Sequence, residues 1–300
     1  MMKSAALIIL SVGLTIATAS DDDLMPYYNY GEYVGEMATF ASEVTAGLEA
    51  AGMQVLGSYS PAGDAGKMVI VVTHETLLQA AAKGQMSAGF AAAMRVAITL
   101  QGEQLVLTSQ NPVYWANAYF QEDYPKVEQE IEAFTERLVA ALAPVGNFAM
   151  LTYGSSQELS ARDLHKYHYM FGMPYFEDWV ELGSHSSYAD AIEAVERNLA
   201  TSQIATKVFE VTIPGKEVTL YGIALGGNTG ETKFVPIIDI ADQKHTAFLP
   251  YELLVMGGDI VMLHGRYRIA LSFPDLTMGT FSKIMATPGQ IKDIMETLAK

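Results

Sequence analysis

The sequence has 300 residues, half of them hydrophobic, and none of them is cysteine. Its 34 acidic and 18 basic side chains give a formal net charge of −16, which argues against nucleic acid as a partner because an acidic surface repels phosphate backbones. No disulfide can stabilise the chain. Because its length exceeds that of one typical domain, we expect two domains, each with its own hydrophobic core.

The first 19 residues have the pattern of a signal peptide. Lys3 is followed by an apolar run from 5 to 16 and by Ala17-Thr18-Ala19, a step of small residues that predicts cleavage before Ser20. The apolar run is too short for a membrane span, which takes roughly 20 apolar residues. Since no later run qualifies either, we expect a soluble, periplasmic or secreted protein with no membrane span after cleavage.

Residues 25–142 predict a first α+β module. Its last helix, 127–142, is amphipathic, with apolar residues at spacings of three and four, and Pro144 and Gly146 end it. The apolar stripe consists of Ile131, Phe134, Leu138 and Leu142. The predicted strands are 25–33, 53–60, 68–73, 95–100 and 104–109, and the predicted helical segments are 37–51, 76–93, 113–120 and 127–142.

Residues 175–299 have the pattern of a second copy. At an offset of 163 residues, the predicted hairpin with Gly102 at its turn falls on a strand–glycine–strand pattern around Gly265, and Pro125 falls on Pro288. The predicted strands are 179–183, 204–213, 218–225, 234–240 and 253–271, and the predicted helices are 187–200 and 288–298. The pattern therefore predicts an α+β fold of two tandem β-α-β4-α modules, each an antiparallel sheet with its helices on one face.

Two features of the modules are also found in a known family. The helix at 37–51 runs through Gly52 into an apolar strand, and the strand at 104–109 is followed by Asn111-Pro112 and a helical segment. In both features the chain resembles the bacterial family catalogued as domain of unknown function 302. The resemblance implies the strand and helix order of the TATA-binding-protein fold and makes a homodimer a candidate assembly. The family has cysteines near the Asn-Pro step and the domain end, which this chain lacks, and it offers no established catalytic residues to transfer.

One candidate site would hold a metal. His165 and His168 are three residues apart, so in a helix capped by Ser160 both imidazoles project from one face and can share a metal ion. Met173 and His185 are near enough in sequence to complete the site. A thioether ligand favours copper, and zinc is the other candidate. A transition metal is thus a candidate cofactor, and a pair of surface imidazoles is the alternative.

The other candidate site would bind an apolar ligand. The segment 143–174 predicts a helical, aromatic-rich linker between the modules, and aromatic residues continue past its end. Pockets tend to occur at domain junctions, although the same rings can equally form an interdomain core. The candidate ligand-binding residues are Tyr167, Tyr169, Phe171, Tyr175 and Trp179.

No catalytic motif accompanies these sites. The sequence has no nucleophile elbow, and His74-Glu75 is followed by Leu78 where a zinc-protease motif needs a second histidine. Arg266 and Arg268 are placed on the predicted second hairpin, where we expect a solvated strand face, with anion binding as the alternative. We therefore predict an exported, non-catalytic binding or interaction protein, whose partner is a small apolar molecule at the module junction or another exported protein. The alternatives are a periplasmic metal-binding or redox-accessory protein that uses His165 and His168, and an enzyme of unidentified type.

Overall fold

The computed structural model describes residues 24–146, 150–157 and 159–300. Two antiparallel sheets with accompanying helices make up this part of the chain, which confirms the predicted α+β class. The predicted signal peptide, 1–19, lies outside the described residues. Among the helices in the described ranges, none has the length and apolar character needed to cross a membrane.

The first sheet has six strands in the order β2-β3-β4-β5-β1-β6. Its strands are β1 (Tyr27–Tyr33), β2 (Gln54–Tyr59), β3 (Lys67–Thr73), β4 (Met94–Gln101), β5 (Gln104–Gln110) and β6 (Leu151–Tyr153). The helices of this part of the chain are α1 (Met37–Ala50), α2 (Glu75–Lys83), α3 (Pro112–Phe120), α4 (Glu128–Leu142) and α5 (Ala161–His165). Strand β6 follows the first module in the chain and pairs with β1 at the edge of the sheet.

The second sheet has five strands in the order β7-β11-β10-β9-β8. Its strands are β7 (Val180–Ser184), β8 (Ala205–Thr212), β9 (Val218–Leu225), β10 (Tyr251–Met256) and β11 (Asp259–Met262). The helices of the second module are α6 (Tyr188–Thr201), α7 (Glu231–Ile238), α8 (Gly265–Ser272), α9 (Met278–Phe281) and α10 (Thr287–Glu296).

The two modules share one topology, as predicted. When β6 is set aside, the two strand orders superpose strand for strand, with β1 in the place of β7 and β2 in the place of β8. The irregularities match as well: Tyr30 in β1 and Leu182 in β7 are both skipped by the pairing register, and so are Leu56 in β2 and Val208 in β8. Bulges at equivalent places in two copies indicate an internal duplication. The boundaries 25–142, 143–174 and 175–299 stay predictions.

Two predicted strands of the second module were wrong. Residues 234–240 lie largely in α7, and 253–271 contains the hairpin β10–β11 followed by α8. Because α7 buries Phe234, Val235 and Ile238, tertiary packing overrides the β propensity of this run. Each module therefore has a further helix between its third and fourth strands, and Gly257, not Gly265, takes the place of Gly102 at the hairpin turn, with φ of +57° and +64°.

The apolar stripe of α4 is buried as the sequence predicted. Ile131, Phe134, Leu138 and Leu142 are all 0% exposed. They place α4 against α1 and α2, where Phe40, Val44 and Leu48 supply the buried face of α1. The first module is thus held by helices packed on its sheet.

The modules pack on each other reciprocally. The short helical turn 86–91 of the first module contacts β9 and β10, and the turn 246–248 of the second module contacts β3, β4 and β5. At Gly89 a Cβ atom would stand 2.7 Å from a methyl of Val218 and 2.8 Å from a methyl of Leu254, so the approach requires a glycine. Each module thus places a short turn against the sheet of the other module, and the two turns form a closely packed junction.

Candidate functional site

A cavity of about 510 Å³ lies between the edge of the first sheet and the second module. Its size falls within the roughly 300–1,000 Å³ of small-molecule pockets. We call it the His245 cavity. Its lining residues are Met25, Thr152, Tyr153, Gly154, Ser155, Ser156, Ile238, Ile240, Ala241, Gln243, His245, Phe273, Asp275, Leu276, Thr277 and Thr280.

Hydrogen bonds fix the imidazole of His245. Its Nδ1 lies 2.9 Å from the carbonyl oxygen of Ser272, and Tyr27 donates its hydroxyl to the same oxygen at 3.0 Å. A carbonyl oxygen only accepts hydrogen bonds, so Nδ1 carries the proton. The backbone N–H of His245 donates to Oδ1 of Asp239 at 2.9 Å. Both the ring and the backbone of His245 are thereby held in place.

Aromatic rings surround this imidazole. The Phe273 ring is stacked on it with centroids 4.8 Å apart, and the rings of Tyr27 and Tyr153 lie at 4.8 and 5.8 Å. Burial lowers the pKa of His245, and Asp239 nearby opposes that shift without cancelling it. The side chain is therefore neutral at neutral pH. Across the described residues Nε2 has no hydrogen-bond partner, so an acceptor lone pair stays available at the cavity.

The strap 150–157, which contains β6, is fastened to the second module at two points. Ser156 donates from its hydroxyl to Oδ1 of Asp275 at 2.8 Å and from its backbone N–H to Oδ2 at 2.7 Å. Tyr153 donates its hydroxyl to the carbonyl oxygen of Lys244 at 2.8 Å. These hydrogen bonds fix the walls of the cavity relative to each other, although they join segments far apart in the sequence.

Two of the predicted ligand-binding rings lie at a second cavity of about 540 Å³, which we call the linker cavity. Tyr167 and Tyr169 line it together with His168, Arg162 and other residues of the linker. Their hydroxyls are already used, because Tyr167 donates to Ala270 O and Tyr169 to Leu276 O, each at 3.0 Å. These two residues therefore fasten the linker to the second module and also border open space.

The other three predicted rings lie apart from both cavities. Phe171 is fully exposed, Tyr175 is 42% exposed with its ring tilted against that of His168, and Trp179 is half-buried against the core. The ring that enters the junction is Phe176, which lies 5.4 Å from Tyr119 between centroids. The aromatic string thus divides between core, cavity wall and surface.

The predicted metal ligands each have a different partner. His165 Nε2 lies 2.9 Å from Asn117 Oδ1, His168 Nδ1 lies 3.4 Å from the carbonyl oxygen of Lys166, and His185 Nε2 lies 3.0 Å from that of Ala299. Met173 lines a separate crevice of about 20 Å³ beside Tyr169. In the ranges that the structure describes, no three His, Cys, Asp or Glu residues form a group able to hold a metal. The metal site stays a prediction without a ligand cluster to support it.

The sequence analysis missed a buried charged cluster at the junction. Arg268, expected on a solvated strand, lies on α8 and is 3% exposed. It donates to Oε2 of Glu252 at 2.6 Å and to the carbonyl oxygens of Phe248 and Pro250 at 2.7 and 2.6 Å. Arg95 of the first module pairs with the other oxygen of Glu252. A charged Glu252 inside the apolar strand β10 was the sequence signal for this cluster.

No protein-family model matches the sequence, and a search of curated proteins gives no match. Part of the chain is similar to the crystal structure of an uncharacterized conserved protein, DUF302, from Bacillus stearothermophilus, with 12% sequence identity and a TM-score of 0.35. The match covers 41% of this chain and 100% of that chain. That structure carries the name of the family that the sequence resembles.

Proposed function

We propose that this protein binds a small, largely apolar molecule in the His245 cavity. The observation that carries the proposal is the cavity itself, about 510 Å³ in volume and lined in part by Ile238, Phe273 and Leu276. Apolar walls with a few placed polar groups are typical of small-molecule sites. The cavity lies where the strap 150–157 meets the second module, so its ligand would contact both parts of the chain.

The geometry favours binding over catalysis. A histidine that activates a nucleophile has an orienting group at one ring nitrogen and a hydroxyl or thiol at the other. In His245 the orienting group is the backbone carbonyl of Ser272. No hydroxyl of the described residues is hydrogen-bonded to Nε2. The neutral ring therefore has the arrangement of a ligand contact.

The proposal includes export. Its support is the pattern of residues 1–19, where Lys3, a short apolar run and Ala17-Thr18-Ala19 follow each other. We expect the mature protein to begin at Ser20 and to act in the periplasm or outside the cell. N-terminal sequencing of the protein from a secreting host tests this, and material from outside the cytoplasm that still begins at Met1 would contradict it.

Naphthalene, a fluorescent apolar probe, tests the binding proposal. The mature protein should bind it saturably. Ala241→Trp should weaken binding at least about tenfold, because Ala241 is an exposed residue of the cavity wall whose enlargement fills the cavity without disturbing the core. Ala189→Trp, at an exposed position on α6, is the matched control and should bind like the wild type. Absence of saturable binding, or equal binding by Ala241→Trp, would refute the proposal.

A further inference from the structure

We infer that the ligand of the His245 cavity is a neutral compound with an apolar body and one hydroxyl group, and that it donates this hydroxyl to Nε2 of His245. The inference rests on the proposed function and names the class of molecule that the cavity selects. Phenols and apolar alcohols are the compounds that fit this description.

The first step concerns the direction of the hydrogen bond. The Ser272 carbonyl oxygen accepts from both Tyr27 and His245, at 3.0 and 2.9 Å. With the proton on Nδ1, a neutral imidazole presents only a lone pair at Nε2. A ligand group at that nitrogen must therefore be a donor, and an ether or ketone cannot take its place.

The second step concerns the hydrogen-bond partner that Nε2 of His245 lacks. His245 is only 6% exposed, yet Nε2 has no partner in the part of the chain that the structure describes. An accessible polar atom on an otherwise buried side chain takes a hydrogen bond from water or from a ligand. Because His245 is among the lining residues of the cavity, a molecule in the cavity is placed to supply that donor.

The third step concerns charge. Asp275 lines the cavity, and Asp239 accepts a hydrogen bond from the backbone N–H of His245. Lys244, the neighbour of His245 in the sequence, places a positive charge near the imidazole, and the net charge of the whole chain is −16. Carboxylates so near the cavity disfavour an acidic ligand. Both oxygens of Asp275 already accept hydrogen bonds from Ser156, and a charged group is costly to bury among apolar walls. The ligand is thus neutral, with its polarity confined to the donor.

The aromatic rings around His245 indicate the shape of the ligand's apolar part. Phe273 is stacked on the His245 ring, and Tyr27 and Tyr153 border the same ring. Of these neighbours, Phe273 and Tyr153 line the cavity, and aromatic walls contact flat rings over a large area. An aromatic alcohol therefore uses the walls and the acceptor together.

Three probes of nearly equal shape separate these contributions. 1-Naphthol has the ring and the donor, naphthalene has the ring alone, and 1-methoxynaphthalene has the ring and an oxygen that only accepts. At pH 7.5 the wild-type mature protein should bind 1-naphthol about tenfold more tightly than either of the other two probes. A difference of this size is what one hydrogen bond to an otherwise unpaired acceptor contributes. Equal affinities for all three would overturn the inference and leave the proposed function standing. Failure of all three to bind would overturn the proposed function itself.

Variants of His245 give the second arm of the experiment. His245→Phe keeps a ring among the aromatic neighbours and removes the acceptor, so it should bind naphthalene as the wild type does and lose the preference for 1-naphthol. His185→Phe, at a half-buried histidine outside the cavity, should keep the preference. If thermal melting shows that His245→Phe does not fold, the comparison of the three probes on the wild type still decides, because it needs no variant. A preference that survives in folded His245→Phe would overturn the inference.

Discussion

Tyr27 and His245 share one acceptor: both donate to the carbonyl oxygen of Ser272, at 3.0 and 2.9 Å. Tyr27 lies on β1 of the first sheet, whereas His245 and Ser272 belong to the second module. The shared acceptor joins the modules and at the same time selects the tautomer of the histidine. Fold and candidate site therefore depend on the same bonds.

This relationship predicts a small, specific loss of stability in Tyr27→Phe. The hydroxyl is buried, and its removal deletes one hydrogen bond, so the free energy of unfolding should fall by about 0.5–1.5 kcal/mol. The matched control is Tyr33→Phe, since no described residue hydrogen-bonds to the Tyr33 hydroxyl, and it should change little. Urea unfolding measures both variants. An equal loss of unfolding free energy in both variants would show that the hydrogen bond from Tyr27 to Ser272 adds no stability of its own.

The buried charged cluster predicts a larger effect. Glu252→Gln leaves Arg95 and Arg268 in the junction without their carboxylate, and breaking a buried ion pair in this way costs about 3–5 kcal/mol. The control is Lys126→Met, which removes an exposed pair with Asp123 and should cost less than about 1 kcal/mol. Denaturant midpoints test this. If Glu252→Gln has the same denaturant midpoint as the wild type, the cluster does not stabilise the junction.

The stripe of α4 predicts a core effect. Phe134→Ala and Leu138→Ala should each lower the free energy of unfolding by about 2–5 kcal/mol, as large-to-small changes at fully buried positions do. Glu132→Ala, on the exposed side of the same helix, should stay close to the wild type. If both core variants unfold at the wild-type denaturant concentration, α4 packs through another face.

The depressed pKa of His245 predicts the pH dependence of stability. Burial lowers the folded-state pKa below the unfolded value of about 6.5, so the unfolded state takes up the proton first as the pH falls. The stability that His245 contributes is therefore complete above about pH 6.5 and is lost as the pH falls towards its folded-state pKa. The buried Asp239 has a raised pKa and acts in the opposite sense.

A comparison with His245→Gln isolates this contribution. Burial also lowers the pKa of His74, His165 and His264, and these residues remain in both proteins. Between about pH 7.5 and 5.5, the wild type should lose more unfolding free energy than the variant. Identical slopes would show that His245 titrates in the folded protein as it does in the unfolded chain.

The sequence predicted those parts of the fold that are governed by local periodicity. The stripe of α4 repeats every three or four residues, and the folded helix buries that stripe. The run around Val235 and Ile238 has the composition of a strand but folds as α7, because contacts with distant residues decide its state. Patterns of the chain alone carry no information about such contacts.

The candidate site was harder to predict for a related reason. Tyr153, His245 and Phe273 are brought together by the junction, and no spacing in the sequence relates them. The linker was predicted to hold a site because it concentrates histidine and aromatic residues, yet Phe171 is fully exposed. The weak signal for His245 was the apolar run Ala247-Phe248-Leu249 that follows closely, which indicates a buried environment for the imidazole.

A crystal structure of the mature protein grown with 1-naphthol tests the central claim most directly. The account predicts one naphthol molecule in the His245 cavity, with its ring beside Phe273 and its hydroxyl oxygen about 2.7–3.2 Å from Nε2 of His245. A cavity that holds only water, or naphthol bound elsewhere on the protein, would contradict it.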